Sequence, residues 1–324
     1  MTSKNYSGPM PFDCDTSYNP TIEVLKYIGS ISYLVPGCVL HFLILKSILL
    51  TRKDYFKNSS FFTLFTMDSI ASIMSILLDV FFGRLFLYVS PLCPIVGPYF
   101  WYPSMILKIY YYVLVHTRFA KAVAQIFMVL NRMTCVLVPT FYTTIWNKLI
   151  PISVAMILLV PFGGTWYLLL TPRYFVIPSY GGFAVIYIRT VDWAAVSLFQ
   201  SIYYLTALGF TVICTTITLY SLILLRVRVK SAEKSLCFTS MFISFIFLLV
   251  AATQICYIAC LECRPSPYLF SAQFLAFDAF SVGSAVILVL NNSQLRDSIF
   301  SPSKNEDRVF RASTNNSFTS HVKI

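Results

Sequence analysis

Charge is what this sequence has least of. Asp, Glu, Lys and Arg make up 11% of its 324 residues, less than half the share of about a quarter found in soluble globular proteins. Too few polar groups remain to cover a water-facing surface, which excludes a soluble globular domain of this size. Catalytic signatures are missing as well. The chain carries no nucleotide-binding loop, nucleophile elbow or metalloprotease helix, and His41, His116 and His321 fall in different segments without ligand spacing. Enzyme activity, a metal and a cofactor therefore have no support. No internal repeat is visible, and the one compositionally biased stretch is a modestly Ser- and Asn-rich tail after Asn291. A signal peptide is not expected either, because Asp13, Asp15 and Glu23 precede the first apolar run, so that run is expected to direct insertion.

Apolar side chains are abundant: 57% of residues are hydrophobic, with 29 Phe and 21 Tyr. A helix needs about 20 mostly apolar residues to cross the hydrocarbon core. Seven stretches meet that requirement, approximately 27–50, 60–82, 110–138, 149–170, 194–225, 237–261 and 268–290. The predicted fold class is an all-α membrane protein, a seven-transmembrane-helix bundle over 27–290, with an extracellular N-terminus (1–26) and a cytosolic tail (291–324). Between the second and third segments, Pro91, Pro94, Pro98 and Pro103 predict a loop, and 172–182 reads likewise. The third segment has no proline between Ser104 and Val138, so it can extend beyond the bilayer.

A net charge of +11 raises the question of nucleic acid, but a nucleic-acid domain clusters its basic residues on one soluble face. Here they sit in short groups beside apolar segments, and no nucleic-acid partner is expected. Fourteen Lys and Arg fall in loops on one side, including Arg226, Arg228, Lys230 and Lys234 before the sixth segment, against seven on the other. The richer side is cytosolic by the positive-inside rule, which puts the N-terminus outside. Asn5-Tyr6-Ser7 then becomes a glycosylation candidate at Asn5. The sequons at Asn58, Asn291 and Asn315 fall on the cytosolic side, where glycosylation is not expected.

Of nine cysteines, Cys38, Cys135, Cys214, Cys237 and Cys256 lie in or at the ends of apolar segments and read as small hydrophobes. Cys14, Cys93 and Cys263 lie in or near outer loops, where one bridge is expected without a choice of pair. Cys260 and Cys263 have C-x-x-C spacing, but no second pair or His cluster accompanies them, so a structural reading outweighs zinc.

Charges inside a bilayer are costly and therefore candidates for function. At about 1.5 Å per residue, Asp68 lies roughly 12 Å, Lys121 roughly 16 Å and Asp278 roughly 20 Å from the cytosolic ends of their segments. If the second, third and seventh segments adjoin, Lys121 pairs with Asp68 or Asp278 in a central polar switch. The alternative is a Lys121 facing a wet outer cavity, with each Asp hydrogen-bonded to neighbouring Ser and Thr. Nearer the outer face, Asp79, His116, Arg118, Trp193, Gln200, Tyr203 and Tyr204 stand at the depth of a ligand pocket, although Trp and Tyr also gather at membrane interfaces. Arg226, Arg228 and Lys230 form a docking surface for an acidic partner, or simply satisfy the charge rule beside anionic membrane lipid.

The run Phe127-Met128-Val129-Leu130-Asn131-Arg132-Met133-Thr134-Cys135-Val136, followed by Pro139, Tyr142 and Trp146, resembles the end of helix three in nematode serpentine chemoreceptors of the class gamma (Srg) family. Asn58 to Phe62 with Asp68, Pro91-Leu92-Cys93-Pro94, Ala120-Lys121 with Gln125, and Pro161-Phe162 with Trp166 agree in order. The resemblance implies a G-protein-coupled receptor fold and a chemosensory role at the plasma membrane of sensory neurons. It also implies a small-molecule chemosensory ligand outside and a heterotrimeric G protein inside, with Asn131, Arg132 and the basic third inner loop carrying the coupling. Arg132 falls at the arginine of the Asp/Glu-Arg-Tyr motif of rhodopsin-like receptors. Asn131 replaces the acidic neighbour, which leaves Glu233 as the alternative partner. Asn-Pro-x-x-Tyr near Leu290, a helix-six proline and a second-loop cysteine are all absent. The rivals are a transporter and a ligand-gated channel. Neither an internal repeat nor a counterpart of Pro36 in the fifth segment supports the first, and the charge count opposes an inside N-terminus.

Overall fold

The computed structural model describes residues 14, 16–56, 59–101, 104–171, 174–224, 231–260 and 267–300. Seven helices in it are long and apolar enough to cross a membrane. They are α1 (Pro20–Thr51), α2 (Ser60–Tyr88), α3 (Met105–Leu137), α4 (Tyr142–Leu170), α5 (Val196–Leu224), α6 (Ser231–Ala259) and α7 (Pro267–Asn291). Helices are the form that such sequences take in lipid, because each satisfies its own backbone polar groups.

Several boundaries move from their expected places for local reasons. α1 starts at Pro20 because the Asn19 side chain accepts a hydrogen bond from the Thr21 amide at 3.0 Å and proline needs no donor at the first helical position. α3 starts at Met105, capped by the Ser104 hydroxyl. The expected loop after residue 82 is partly helical instead. α2 continues through a π-turn (Asp79–Arg84) to Tyr88, and Cys93–Trp101 forms a short helix. The prolines break this stretch into pieces without abolishing its helicity. α4 is interrupted after Leu159, where Pro161 has no amide proton to donate, and resumes at Phe162.

α3 is the central helix. Two thirds of its apolar window (67%) is buried, against 28% for α4 and α5, and it packs against α2, α4, α5 and α6. α7 packs against α1, α2 and α6. The main core runs through Phe61, Phe65, Ala122, Ala124, Phe247 and Phe280. After α7, α8 (Ser293–Phe300) turns back against the C-terminal end of α1: Leu295 is buried, and the Ser298 and Ser47 hydroxyls meet at 2.7 Å.

The other expected loop, 172–182, is also corrected. β1 (Tyr174–Ser179) and β2 (Gly182–Tyr187) form an antiparallel hairpin with Tyr174 opposite Tyr187 and Ser179 opposite Gly182. Its strands are aromatic and β-branched, and its two-residue turn, Tyr180-Gly181, has positive φ at both positions (54° and 79°). The hairpin lies across one end of the bundle. Phe183 stacks on Phe86 of α2 at 4.9 Å, and Tyr180 stacks on Phe270 of α7 at 5.6 Å. Burial there raises the Tyr180 phenol above its ordinary pKa, so the contact stays uncharged at physiological pH. At this hairpin end a disulfide joins Cys14 to Cys93. Cys260 is also disulfide-bonded, whereas Cys263 lies outside the described residues.

A side chain at Gly182 would place its Cβ 2.1 Å from the Phe86 carbonyl oxygen, a backbone atom that cannot move aside cheaply. Gly182→Ala is therefore expected to destabilise the protein by about 1–3 kcal/mol. Gly209→Ala on α5, with nothing within 4 Å, should not lower stability. Thermal unfolding in detergent checks both, and equal melting temperatures for the two variants would contradict the packing described.

Candidate functional site

Among the described residues, three ion pairs are stacked inside the bundle. Nearest the hairpin, the Arg84 Nη2 of α2 donates to Asp278 Oδ1 of α7 at 2.5 Å, and the Tyr33 hydroxyl of α1 donates to Asp278 Oδ2 at 2.5 Å. Next, Arg118 Nη2 of α3 donates to both carboxylate oxygens of Asp79 of α2 at 3.0 Å. Deepest, the Lys121 ammonium of α3 donates to Asp68 Oδ1 of α2 at 2.9 Å and to the Ser72 hydroxyl. The other Asp68 oxygen accepts from Ser284 of α7 at 3.3 Å.

Each cation also has an aromatic face from α7. Arg84 lies 4.9 Å from the Phe274 ring centroid, Arg118 lies 4.8 Å from Phe277, and Lys121 lies 4.7 Å from Phe280. The spacing of three residues brings these rings to successive turns of one helix face. A desolvated cation–π contact contributes up to about 2 kcal/mol. α7 is thus fastened to α2 and α3 by three charges and three rings.

The expected cluster of Asp68, Lys121 and Asp278 is therefore divided. Lys121 and Asp68 meet, but Asp278 turns toward Arg84, a residue past the expected end of the second segment that the π-turn carries into α2. The pairs border a shared cavity of about 10 Å³ lined by Asp79, Arg118, Lys121, Tyr204 and Asp278, room for about one water. Of the seven pocket candidates, Asp79, Arg118 and Tyr204 line this cavity. His116 faces α4 and lies 4.9 Å from the Phe162 ring centroid. Tyr203 stacks on Phe119 at 4.4 Å and donates to the Val160 carbonyl at 2.6 Å. Trp193 is exposed beside Trp166. Gln200 is half-buried, with an unpartnered Nε2.

At the opposite end of α3, Asn131 is buried and donates to the Ser60 hydroxyl at 2.8 Å, while its oxygen accepts from Arg132 Nη2 at 2.7 Å and from Tyr142 at 3.1 Å. The Arg132 guanidinium lies over the Phe61 ring at 4.2 Å and is itself buried. Among the described residues no carboxylate pairs with it. The side chain of Glu233, and all of Asn5, Arg226, Arg228 and Lys230, lie outside the described residues. The residues that sequence reasoning missed are Arg84, Tyr33 and the Phe274/Phe277/Phe280 row. A cation just past the expected end of the second segment, and Phe at every third position of the seventh, were the available signals.

A family model described as Srg family chemoreceptor matches residues 27–299. Serpentine receptor class gamma-15 of Caenorhabditis elegans is 58% identical over 316 residues, covering 97% of this chain and 99% of that protein. Serpentine receptor class gamma-16 and class gamma-17 of the same organism are each 48% identical, over 87% and 90% of this chain and the same shares of their own.

Removing one member of a buried pair leaves the other charge uncompensated, at a cost of about 3–5 kcal/mol. Asp68→Asn is expected to destabilise the protein by that amount, and adding Lys121→Met should recover most of it. A double-mutant cycle on thermal stability reads the coupling. Additive effects of the two changes would show that the pair is not a unit.

Proposed function

The chain belongs to the Srg family of chemoreceptors, and from that premise we propose that it is a plasma-membrane receptor of sensory neurons. It binds a small external molecule at the hairpin end and signals through a heterotrimeric G protein at the other. The observation that carries this reading is the ladder of three ion pairs and the rings beside it, because the Arg84–Asp278 pair and the Phe274, Phe277 and Phe280 faces tie α7 to the paired α2 and α3 through contacts that break only together with the movement of a whole helix. Such a bundle has two packings to choose between, and a ligand shifts the choice by its differential affinity.

The disulfide at the hairpin end supports an outward orientation for that end, since disulfides persist in oxidising compartments. The tail then lies in the cytosol, with Asn5 available for glycosylation outside. Asp79, Arg118 and Tyr204, with Lys121 and Asp278, form the inner wall of the ligand site. His116, Trp193, Gln200 and Tyr203 bear on it through the α3–α4–α5 packing. Arg132, stowed over Phe61 and held by Asn131, is the coupling arginine in its resting position. Release of that contact exposes it, together with Arg226, Arg228 and Lys230 of the third inner loop, to the G protein.

The expected outcome for Arg132→Ala is loss of ligand-evoked second-messenger change with surface expression and ligand binding retained. Cells expressing the receptor, screened with a panel of small molecules, provide the measurement. Evoked ionic current that persists without a functional G protein would overturn the reading in favour of a ligand-gated channel.

A further inference from the structure

Asn131 brings no charge to its neighbour Arg132, but it closes a ring of hydrogen bonds. Its amide N–H donates to the Ser60 hydroxyl at 2.8 Å, its oxygen accepts from the Tyr142 hydroxyl at 3.1 Å, and the Ser60 and Tyr142 hydroxyls meet at 2.7 Å. Arg132 Nη2, which can only donate, meets the same Asn131 oxygen at 2.7 Å and so fixes which way round the amide lies. A hydroxyl has one proton to give. Tyr142 gives its proton to Asn131, and the proton between the two hydroxyls therefore comes from Ser60. The bonds run one way round a closed circle, from Asn131 to Ser60, from Ser60 to Tyr142 and from Tyr142 back to Asn131. Bonds linked in this way polarise and strengthen one another. An ionised aspartate at this position has no proton to give and cannot close the circle.

The ring joins three helix ends at one face of the membrane. Ser60 opens α2, Tyr142 opens α4, and Asn131 lies in the last two turns of α3. Adjacent residues of α3 face adjacent residues of α2: Asn131 bonds to Ser60 while Arg132 covers Phe61. One turn along α4, the Trp146 indole donates to the Thr134 hydroxyl at 2.7 Å and keeps α4 beside α3. Arg132 is 4% exposed, and its Nε has no acceptor. Among the described residues no carboxylate neutralises it. Its seat is the Phe61 face together with the Asn131 oxygen, and the ring holds that oxygen in place.

We propose that the Asn131–Ser60–Tyr142 ring is an uncharged lock on Arg132, with Ser60 and Tyr142 as its positioning residues, and that signalling requires the ring to open. The link to signalling rests on the G-protein reading above, whereas the hold of the ring on the turn between α3 and α4 does not. A neutral lock suits this place. It opens at the cost of hydrogen bonds alone, while opening a rung of the ladder strands two buried charges. Of the fastenings that α3 carries, the ring is the one that yields first.

Tyr142→Phe removes one hydroxyl from the ring and keeps the aromatic side chain. Loss of one net hydrogen bond shifts a two-state equilibrium about fivefold, so basal second-messenger output in cells without ligand is expected to rise by about that factor at equal surface expression. Ser60→Ala should act alike. The double variant should give about the rise of one change rather than the product of two, because either change opens the same ring. Ser60→Thr, which restores the hydroxyl, should return the output toward that of the unaltered receptor. Hydrogen exchange on the purified full-length protein in nanodiscs, free of G protein, reads the ring by itself. Tyr142→Phe should speed exchange across 138–146, where the Phe141 and Ile145 amides are bonded, and leave 108–125 of α3 unchanged. Should Tyr142→Phe fail to fold, Ser60→Ala carries the same two readouts. Unchanged exchange across 138–146 would overturn the lock. Faster exchange with basal output level or lowered, in a receptor that answers a ligand, would overturn it too, because the hydroxyls then hold the turn without governing Arg132. Faster exchange in a protein that gives no second-messenger response to any molecule would keep the ring and count against the G-protein reading.

Discussion

A charge in the interior of a bilayer has no water to solvate it, so it must find its counter-charge within the protein. Here three cations and three carboxylates meet that requirement on α2, α3 and α7. Hydrophobic burial cannot tell one helix neighbour from another in lipid, because hydrocarbon tails are as apolar as Leu. The ion pairs can. Asp68 and Asp79 of α2 select Lys121 and Arg118 of α3, and Asp278 brings α7 against Arg84. The neighbour relations of α2, α3 and α7 follow from these pairings, and Phe274, Phe277 and Phe280 strengthen each with a ring on the cation.

The same arrangement links the two ends of the molecule. Tyr180 of the hairpin rests on Phe270, one turn from Phe274, so the covering of one end touches the helix that the ladder fastens. α3 carries Arg118 and Lys121 in the ladder and Asn131 and Arg132 near its far end. A movement of α3 relative to α2 would strain both the Arg118–Asp79 pair and the Asn131–Ser60 hydrogen bond. Packed cores are bistable rather than continuously deformable, so such coupled contacts favour two discrete arrangements.

Much of this was legible in the sequence. Hydropathy fixes the count of seven helices, because a bilayer imposes one length on every crossing. Lys121 and Asp68 were within reach of each other on helical rise alone. Rise alone leaves Asp278 as a second candidate partner for Lys121, since depth arithmetic places residues along a helix but not around it, and it gives no sign of Arg84, which reads as loop. The π-turn that brings Arg84 in is a local widening that extends α2 without any signature in hydropathy. The hairpin reads as loop by length, although Tyr174–Ile177 and Phe183–Tyr187 are rich in aromatic and β-branched residues flanking Tyr-Gly-Gly. Strands of about six residues do not stand out among apolar runs three times as long. The choice of Cys14–Cys93 depended on how the short helix Cys93–Trp101 folds back, which no spacing rule contains.

The central claim is that the ladder holds α7 in place. Its most direct test is the distance distribution between spin labels at exposed Met74 on α2 and exposed Leu290 on α7, measured in nanodiscs by pulsed electron resonance. The native receptor should give one narrow distance. The neutral double variant Arg84→Gln/Asp278→Asn, which removes a rung without stranding a charge, should broaden it or add a second population. A distribution unchanged by loss of the rung would contradict the claim.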